Sequence, residues 1–427
     1  MTAPSSGTPA RKPRRRWRWH VPPALVHGDE TLEGTEMLEE VSGAVGTVLW
    51  QTMRDVTLWA GVRDPDERRG LFSEGAHERR LRELEAAGVD AAVDAPLRVL
   101  AGLCRDPQSL GEEQVLTACR EVSKWAEDRE LRATAIAFAQ AGALAAPANA
   151  AAGFRVGQLA RDKTEYARAE TWFRRTIGLG RQAKDWASYA EAFLGLGNLY
   201  IVRGNLPAAR RFHIRGLRAA RRHGMRDVQG RAHHDLFRMA VAMDNPVEAQ
   251  EHARAAFRAY GNTHPRLPHL AADLAYFWME RGRFPQAQAA FQVVLPHFAH
   301  PCDRLQTMAN LGRAAGGAGD RPTFDDAWDE AWSYSGEWHT RPRAAQALLE
   351  LARGAASLKD WARAERAAST ARDLATRNEM AKVMMEAEAV LDSVTRRKAL
   401  EEAVEPAGGE EQADIDAILA DLRRSLV

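Results

Sequence analysis

Cysteine is scarce in this 427-residue chain: Cys104, Cys119 and Cys302 are too few and too scattered to form a disulfide framework. Their odd count fits a reducing compartment, so the expected location is cytoplasmic. Long apolar runs are missing as well. The most apolar window, Val41 to Val62, carries Gln51, Arg54 and Asp55 at its middle, which argues against a transmembrane segment. The basic start of the chain leads into Val21-Pro22-Pro23 and then acidic residues, without the apolar stretch of a secretory signal. Net charge is only +1, so the total says nothing about nucleic acid. No GxxxxGK phosphate loop, HExxH zinc helix or GxSxG elbow occurs, and no catalytic residue, cofactor or enzymatic activity is expected.

Metal binding has weak support. His297, His300, Cys302 and Asp303 have a spacing compatible with coordination, but loop histidines beside prolines are usually surface residues, and no metal site is assigned. His233, His234 and Asp235 lie in one expected helix, where neighbouring residues point in different directions.

What is present is a folded composition, 45% hydrophobic and 27% charged, arranged in distinct stretches. Residues 1–27 are rich in Pro, Ser and Arg and are expected to be a disordered basic tail. An N-terminal helical region over 28–148 follows, including an atypical first helix pair. In it one amphipathic helix is expected over about 35–62, where Val45, Leu49, Val56 and Trp59 share a face. A second is expected near 74–87, ending at Gly88, and then Ala-rich helices broken at Pro107 and Pro147.

From 149 to 395 the chain repeats itself. A bulky residue, two variable ones and an alanine recur six times, at Tyr166/Ala169, Leu206/Ala209, Pro246/Ala249, Phe284/Ala287, Phe324/Ala327 and Trp361/Ala364. The alanines are 40, 40, 38, 40 and 37 residues apart. Upstream stand Leu196-Gly197 with Tyr200, and Leu311-Gly312. Turns are marked by Gly204-Asn205, Asp244-Asn245, Gly282-Arg283, Gly319-Asp320 and Lys359-Asp360. Small residues at the contact let two antiparallel helices cross closely while large ones fill the space beside it. Trp172, Trp278, Trp328, Trp332 and Trp361 occupy such filling positions and are expected to pack rather than stack on a ligand.

This pattern, clearest over 193–217, resembles the tetratricopeptide repeat (TPR), with a pitch near 40 as in the kinesin-light-chain variety. The resemblance implies an all-α fold: a right-handed superhelical solenoid of six antiparallel helix pairs behind the atypical N-terminal region. It also implies partner binding, with a protein, peptide or helix laid in a concave groove lined by the first helix of each pair. Carrying the family's groove positions across gives Asn198, Arg231, His234, Arg238, His269, Tyr276, Arg313 and Arg353. Asn198 and Arg238 match part of the family's carboxylate clamp, while Leu194 stands where a lysine belongs, so the expectation is a groove preferring acidic ligands.

Charge patterning adds a second candidate. Between Arg203 and Arg231 nine arginines face one acid, Asp227. Within that run Arg211, Arg215, Arg218 and Arg222 line one helical face, either a solvated flank or an anion-binding ridge. The tail over Arg11 to Trp19, reading RKPRRRWRW, mixes cations and rings. Nucleic-acid association through tail or ridge, or a ligand-sensing regulator, therefore stays open as an alternative function. Residues 396–427 read as an acidic linker followed by a capping helix, with Ile415, Leu419, Leu422 and Leu426 on one face and the cap seated on the last repeat.

Overall fold

A computed structural model describes residues 34–334, 336, 343–378 and 380–397 and, near the C-terminus, residues 417, 418, 420, 421 and 423–426. All regular structure among the described residues is helical. The chain divides into two compact units, Met1–Val228 and Gln229–Val427.

The first unit holds α1 (Glu36–Glu40), α2 (Gly43–Gly61), α3 (Pro65–Arg69), α4 (Ala76–Ala87), α5 (Ala91–Ala101), α6 (Glu112–Glu127), α7 (Arg132–Ala145), α8 (Ala150–Asp162), α9 (Tyr166–Ala183), α10 (Trp186–Val202) and α11 (Leu206–Arg222). The division falls in the first turn of α12 (Arg226–Ala242). The second unit continues with α13 (Pro246–Tyr260), α14 (Leu267–Glu280), α15 (Phe284–Val294), α16 (Pro301–Ala318), α17 (Arg321–Ser333), α18 (Ala344–Ser357), α19 (Trp361–Arg377) and α20 (Ala381–Arg396).

One turn chemistry makes the pairs. Where α10 ends, Gly204 takes φ 72°, and the Asn205 N–H donates back to Tyr200 O at 2.8 Å. The Asn205 side chain then accepts from Ala208 N at 3.1 Å, so one residue closes the first helix and caps the second. The same device recurs at Asp244-Asn245, Gly319-Asp320 and Lys359-Asp360, each with a positive-φ residue and then an Asn or Asp cap. Asp244 and Lys359 adopt that left-handed conformation without being glycine, a strain of about 1 kcal/mol that the capped turn outweighs.

Small residues set the crossings. All six repeat alanines are buried. Gly157 and Gly195 approach the Phe173 ring so closely that a Cβ at either would stand 2.7 or 2.6 Å from it. Between α16 and α18 the backbones themselves touch: a Cβ on Gly316 would lie 2.3 Å from Gly354 O. Trp172, Trp278 and Trp328 are buried, and Trp332 and Trp361 pack at the edge of the core.

Two expectations need correction. The single helix over 35–62 is two helices, because Val41 turns extended and Gly43 takes φ 74°. That fold-back brings Val41 O against Gly46, where a Cβ would stand 1.7 Å away. Its effect is to aim Glu40 at the start of α7, where its carboxylate accepts from Ala133 N at 2.7 Å and Thr134 N at 2.8 Å. The second correction concerns the C-terminal helix. Its described residues between 417 and 426 are helical, but Ile418 and Leu426 pack against the core built by α12 to α16. The last repeat is covered instead by α20, through Val383, Ala387 and Val390. The basic tail, the linker acids from Glu401 to Asp416, and Ile415, Leu419 and Leu422 lie outside the described residues.

Candidate functional site

In the second unit, the groove positions named from sequence meet across successive first helices, and ion pairs join them. His234 on α12 shares a hydrogen bond of 2.9 Å with Asp273 on α14, and Arg238 stands 3.6 Å from the same carboxylate. Burial alone would push the Asp273 carboxyl up. The His234 hydrogen bond, then the His234 and Arg238 charges, outweigh it and hold that carboxyl below its ordinary value. His269 lies 4.0 Å from Asp303 at the start of α16, and burial lowers the imidazole below its usual value despite that acid. His233 turns the other way, to His252 at 3.0 Å.

Further along, Arg313 on α16 reaches Glu280 on α14 at 2.6 Å and Glu350 on α18 at 2.8 Å. Arg353 bonds Glu350 at 3.3 Å and Glu386 on α20 at 3.1 Å. Tyr276, half-buried beside these groups, has its phenol pushed up by burial and then by the Glu350 and Glu280 charges. Cation and carboxylate thus alternate from helix to helix, and Arg238, Arg313 and Arg353 each have an acid of the chain's own. Arg231 is half-buried on α12. Asn198 belongs to the first unit, half-buried on α10.

The first unit presents different electrostatics. Arg203 is answered by Glu170 at 2.9 Å, and Tyr200 donates to the same carboxylate at 3.0 Å. Arg211, Arg215, Arg218 and Arg222, by contrast, are exposed on α11, and none of the four meets a carboxylate among the described residues. Arg215 rests over the Phe212 ring at 5.8 Å.

Three of these arginines also line a cavity. Arg215, Arg218 and Arg222 form one wall of a space of about 640 Å³, with Arg181 and His223 at its rim and Trp186, Tyr189 and Phe193 of α10 opposite. The rings of that wall touch one another. Trp186 stacks on His223 at 4.3 Å, Trp186 meets Tyr189 edge-on at 5.8 Å, and Tyr189 meets Phe193 edge-on at 5.1 Å. Arg211 is not part of the lining. Sequence reasoning named the arginines and missed the rings, although Trp186, Tyr189 and Phe193 follow helical i, i+3, i+7 spacing.

Among the described residues no three His, Cys, Asp or Glu side chains converge as a metal site would need, and no helix is long and apolar enough to cross a membrane. Cys104 and Cys119 are buried as thiols, the former pushed up to about 12 by burial and then by Asp55.

No family model and no curated protein matches the chain. Solved structures do. BtubC (BKLC) from P. vanneervenii is 16% identical, with 61% of this chain and 91% of that one covered and a TM-score of 0.39. A Rap protein complexed with competence and sporulation factor is 11% identical over 83% of this chain and 98% of that one, with a TM-score of 0.44. The TPR2AB domain of yeast Sti1, in a complex with pHSP90, is 15% identical over 66% and 99%, with a TM-score of 0.26. Paired helices, Schellman turns with Asn or Asp caps, and buried alanines at a pitch near 40 give this chain an all-α fold of tetratricopeptide-like helix pairs.

Proposed function

We propose that the chain is a non-catalytic interaction scaffold, and that the pocket between α10 and α11 holds an acidic segment of a partner protein. The observation that carries this reading is the contrast in charge. Arg238, Arg313 and Arg353 on the first helices of the second unit have acids of the chain's own, whereas Arg215, Arg218 and Arg222 converge on a cavity with an aromatic wall and meet no carboxylate among the described residues. A carboxylate entering there gains charge-assisted hydrogen bonds from planar guanidinium forks, and an apolar or aromatic neighbour gains ring contacts.

Chemistry favours a short peptide segment over nucleic acid. The ridge from Arg211 to Arg222 spans about 16 Å at the helical rise, a local patch rather than a track. A fluorescein-labelled peptide of Glu and Asp carrying one Phe, titrated by anisotropy, tests the site. The expected result is binding by the full chain, at least tenfold weaker binding by R215A/R218A/R222A, and none of the probe's Gln/Asn counterpart. Equal binding of that counterpart, or a labelled single-stranded oligonucleotide outcompeting the peptide, would refute this reading.

A further inference from the structure

The pocket between α10 and α11 concentrates more positive charge than one carboxylate can answer. None of the residues lining it is acidic, and four of them, Arg181, Arg215, Arg218 and Arg222, are arginines. Arg215 and Arg218 stand three residues apart on α11, and Arg218 and Arg222 four apart, spacings at which like charges repel along a helix. A ligand that neutralises several of them at once relieves that repulsion. Between them Ala219 contributes only a methyl group, which leaves the space of about 640 Å³ in front of it open toward Trp186 and Tyr189 on the other wall.

A single Glu or Asp carboxylate has one charge and two oxygens, both of which one guanidinium fork engages, so it leaves two of Arg215, Arg218 and Arg222 without a counter-charge. A phosphomonoester does better. It carries about −1.5 to −2 at pH 7 on three strong acceptor oxygens, enough for two or three forks together. The aromatic wall sets a second condition. Phosphoserine reaches the arginines on a short aliphatic stem and leaves Trp186 and Tyr189 uncovered, whereas phosphotyrosine carries ring and dianion on one side chain and meets both walls. Building on the reading that a partner's acidic segment enters between α10 and α11, we infer that the pocket reads phosphotyrosine in a partner protein. Arg215, Arg218 and Arg222 take the phosphoryl oxygens, and Trp186 and Tyr189 take the phenyl ring. Phosphorylation of the partner then switches its docking on.

The test uses the full chain and the labelled Glu/Asp probe, remade with its Phe replaced by phosphotyrosine, tyrosine or phosphoserine. By anisotropy the phosphotyrosine probe should bind about tenfold tighter than the tyrosine probe and about threefold tighter than the phosphoserine probe. R215A/R218A/R222A should bring the phosphotyrosine and tyrosine probes within about twofold of each other. W186A should erase the preference for phosphotyrosine over phosphoserine and keep the preference for a phosphoryl group. R218K/R222K retains the charge and loses the planar forks, so it should weaken the phosphotyrosine probe by about threefold. That variant decides the matter should the triple substitution lose the helical circular dichroism of the unaltered chain. Phenyl phosphate should displace the phosphotyrosine probe at lower concentration than inorganic phosphate does. Equal binding of the phosphotyrosine and tyrosine probes, with both lost in the triple variant, overturns this inference and leaves the acidic-segment reading standing. Binding of neither probe overturns both. A phosphoserine probe as tight as the phosphotyrosine one, or adenosine monophosphate displacing the probe at lower concentration than phenyl phosphate, would also overturn it, the latter by assigning the pocket to a nucleotide.

Discussion

Arg313 Nη1 stands 2.8 Å from Glu350 Oε2, with the glutamate wholly buried and the arginine nearly so. Gln346 Nε2 donates to the other carboxylate oxygen at 2.7 Å, and Glu280 takes a further bond from Arg313 at 2.6 Å. Removing Glu350 takes one of two counter-ions from the buried Arg313 and the acceptor from Gln346, which costs about 1 to 3 kcal/mol, whereas replacing both Arg313 and Glu350 by apolar residues of similar volume is often neutral. Urea unfolding of E350A should therefore show a loss on that scale, and R313M/E350L should recover most of it. An E350A variant as stable as the parent would mean that the pair is solvated and the network does not order α14, α16 and α18.

Backbone contact between α16 and α18 predicts a change of sign. Alanine normally stabilises a helix over glycine by roughly 0.5 to 1 kcal/mol. At Gly316 the added Cβ would meet Gly354 O at 2.3 Å, so G316A should instead lose about 1 to 3 kcal/mol by overpacking. Gly178 on α9 has nothing within 4 Å of its added Cβ, and G178A should show the ordinary gain. Opposite signs in the two denaturation midpoints check the crossing.

The Asp273 bridge predicts an acid-dependent contribution to stability. Its carboxyl is held below its ordinary value by His234 and Arg238 against the opposing effect of burial. A depressed folded value means that the unfolded chain binds the proton more readily, so the contribution is complete above about pH 4 and is lost as pH falls through the folded value. The stability difference between the parent and D273N should thus be largest near neutrality and shrink below about pH 4. A difference that stayed constant down to about pH 3 would rule out the ion pair as its source.

Local signals carried the helix pairs into view. Alanine at each crossing and Gly-Asn or Gly-Asp at each turn act over a few residues, and both are readable along the chain. The charge lacing was not, because its partners are far apart: 33 residues for Arg313 and Glu280, 37 for Arg313 and Glu350, and 39 for His234 and Asp273. Those separations lie near one repeat pitch, so an acid one pitch from each groove arginine was the readable clue. The seat of the C-terminal helix had no such clue. An apolar face at the end of a repeat array fits any exposed groove of matching width, and only the folded surfaces distinguish the core of α12 to α16 from that of the last pair.

Individual ridge arginines should separate a pocket from a diffuse field of charge. Arg211 shares the helical face of Arg215, Arg218 and Arg222 but does not line the cavity. If a partner's carboxylates enter the pocket, R218A and R222A should each weaken the acidic probe by roughly three- to tenfold, about 1 kcal/mol for a partly exposed charge-assisted contact. R211A should leave affinity within about twofold of the parent. Long-range attraction alone would instead weaken all three variants alike, because the screening length of about 8 Å at 0.15 M salt does not distinguish neighbours one helical turn apart. Trp186 supplies an independent check. Its ring is held by His223 at 4.3 Å and offers the ligand apolar contact rather than charge. W186A should therefore reduce affinity while keeping the parent's salt dependence, whereas R218A should flatten it. Measuring the probe's Kd for the four variants between about 50 and 200 mM salt gives both readouts. Equal losses at Arg211 and Arg218, with parallel salt slopes throughout, would return the ridge to a solvated helix flank.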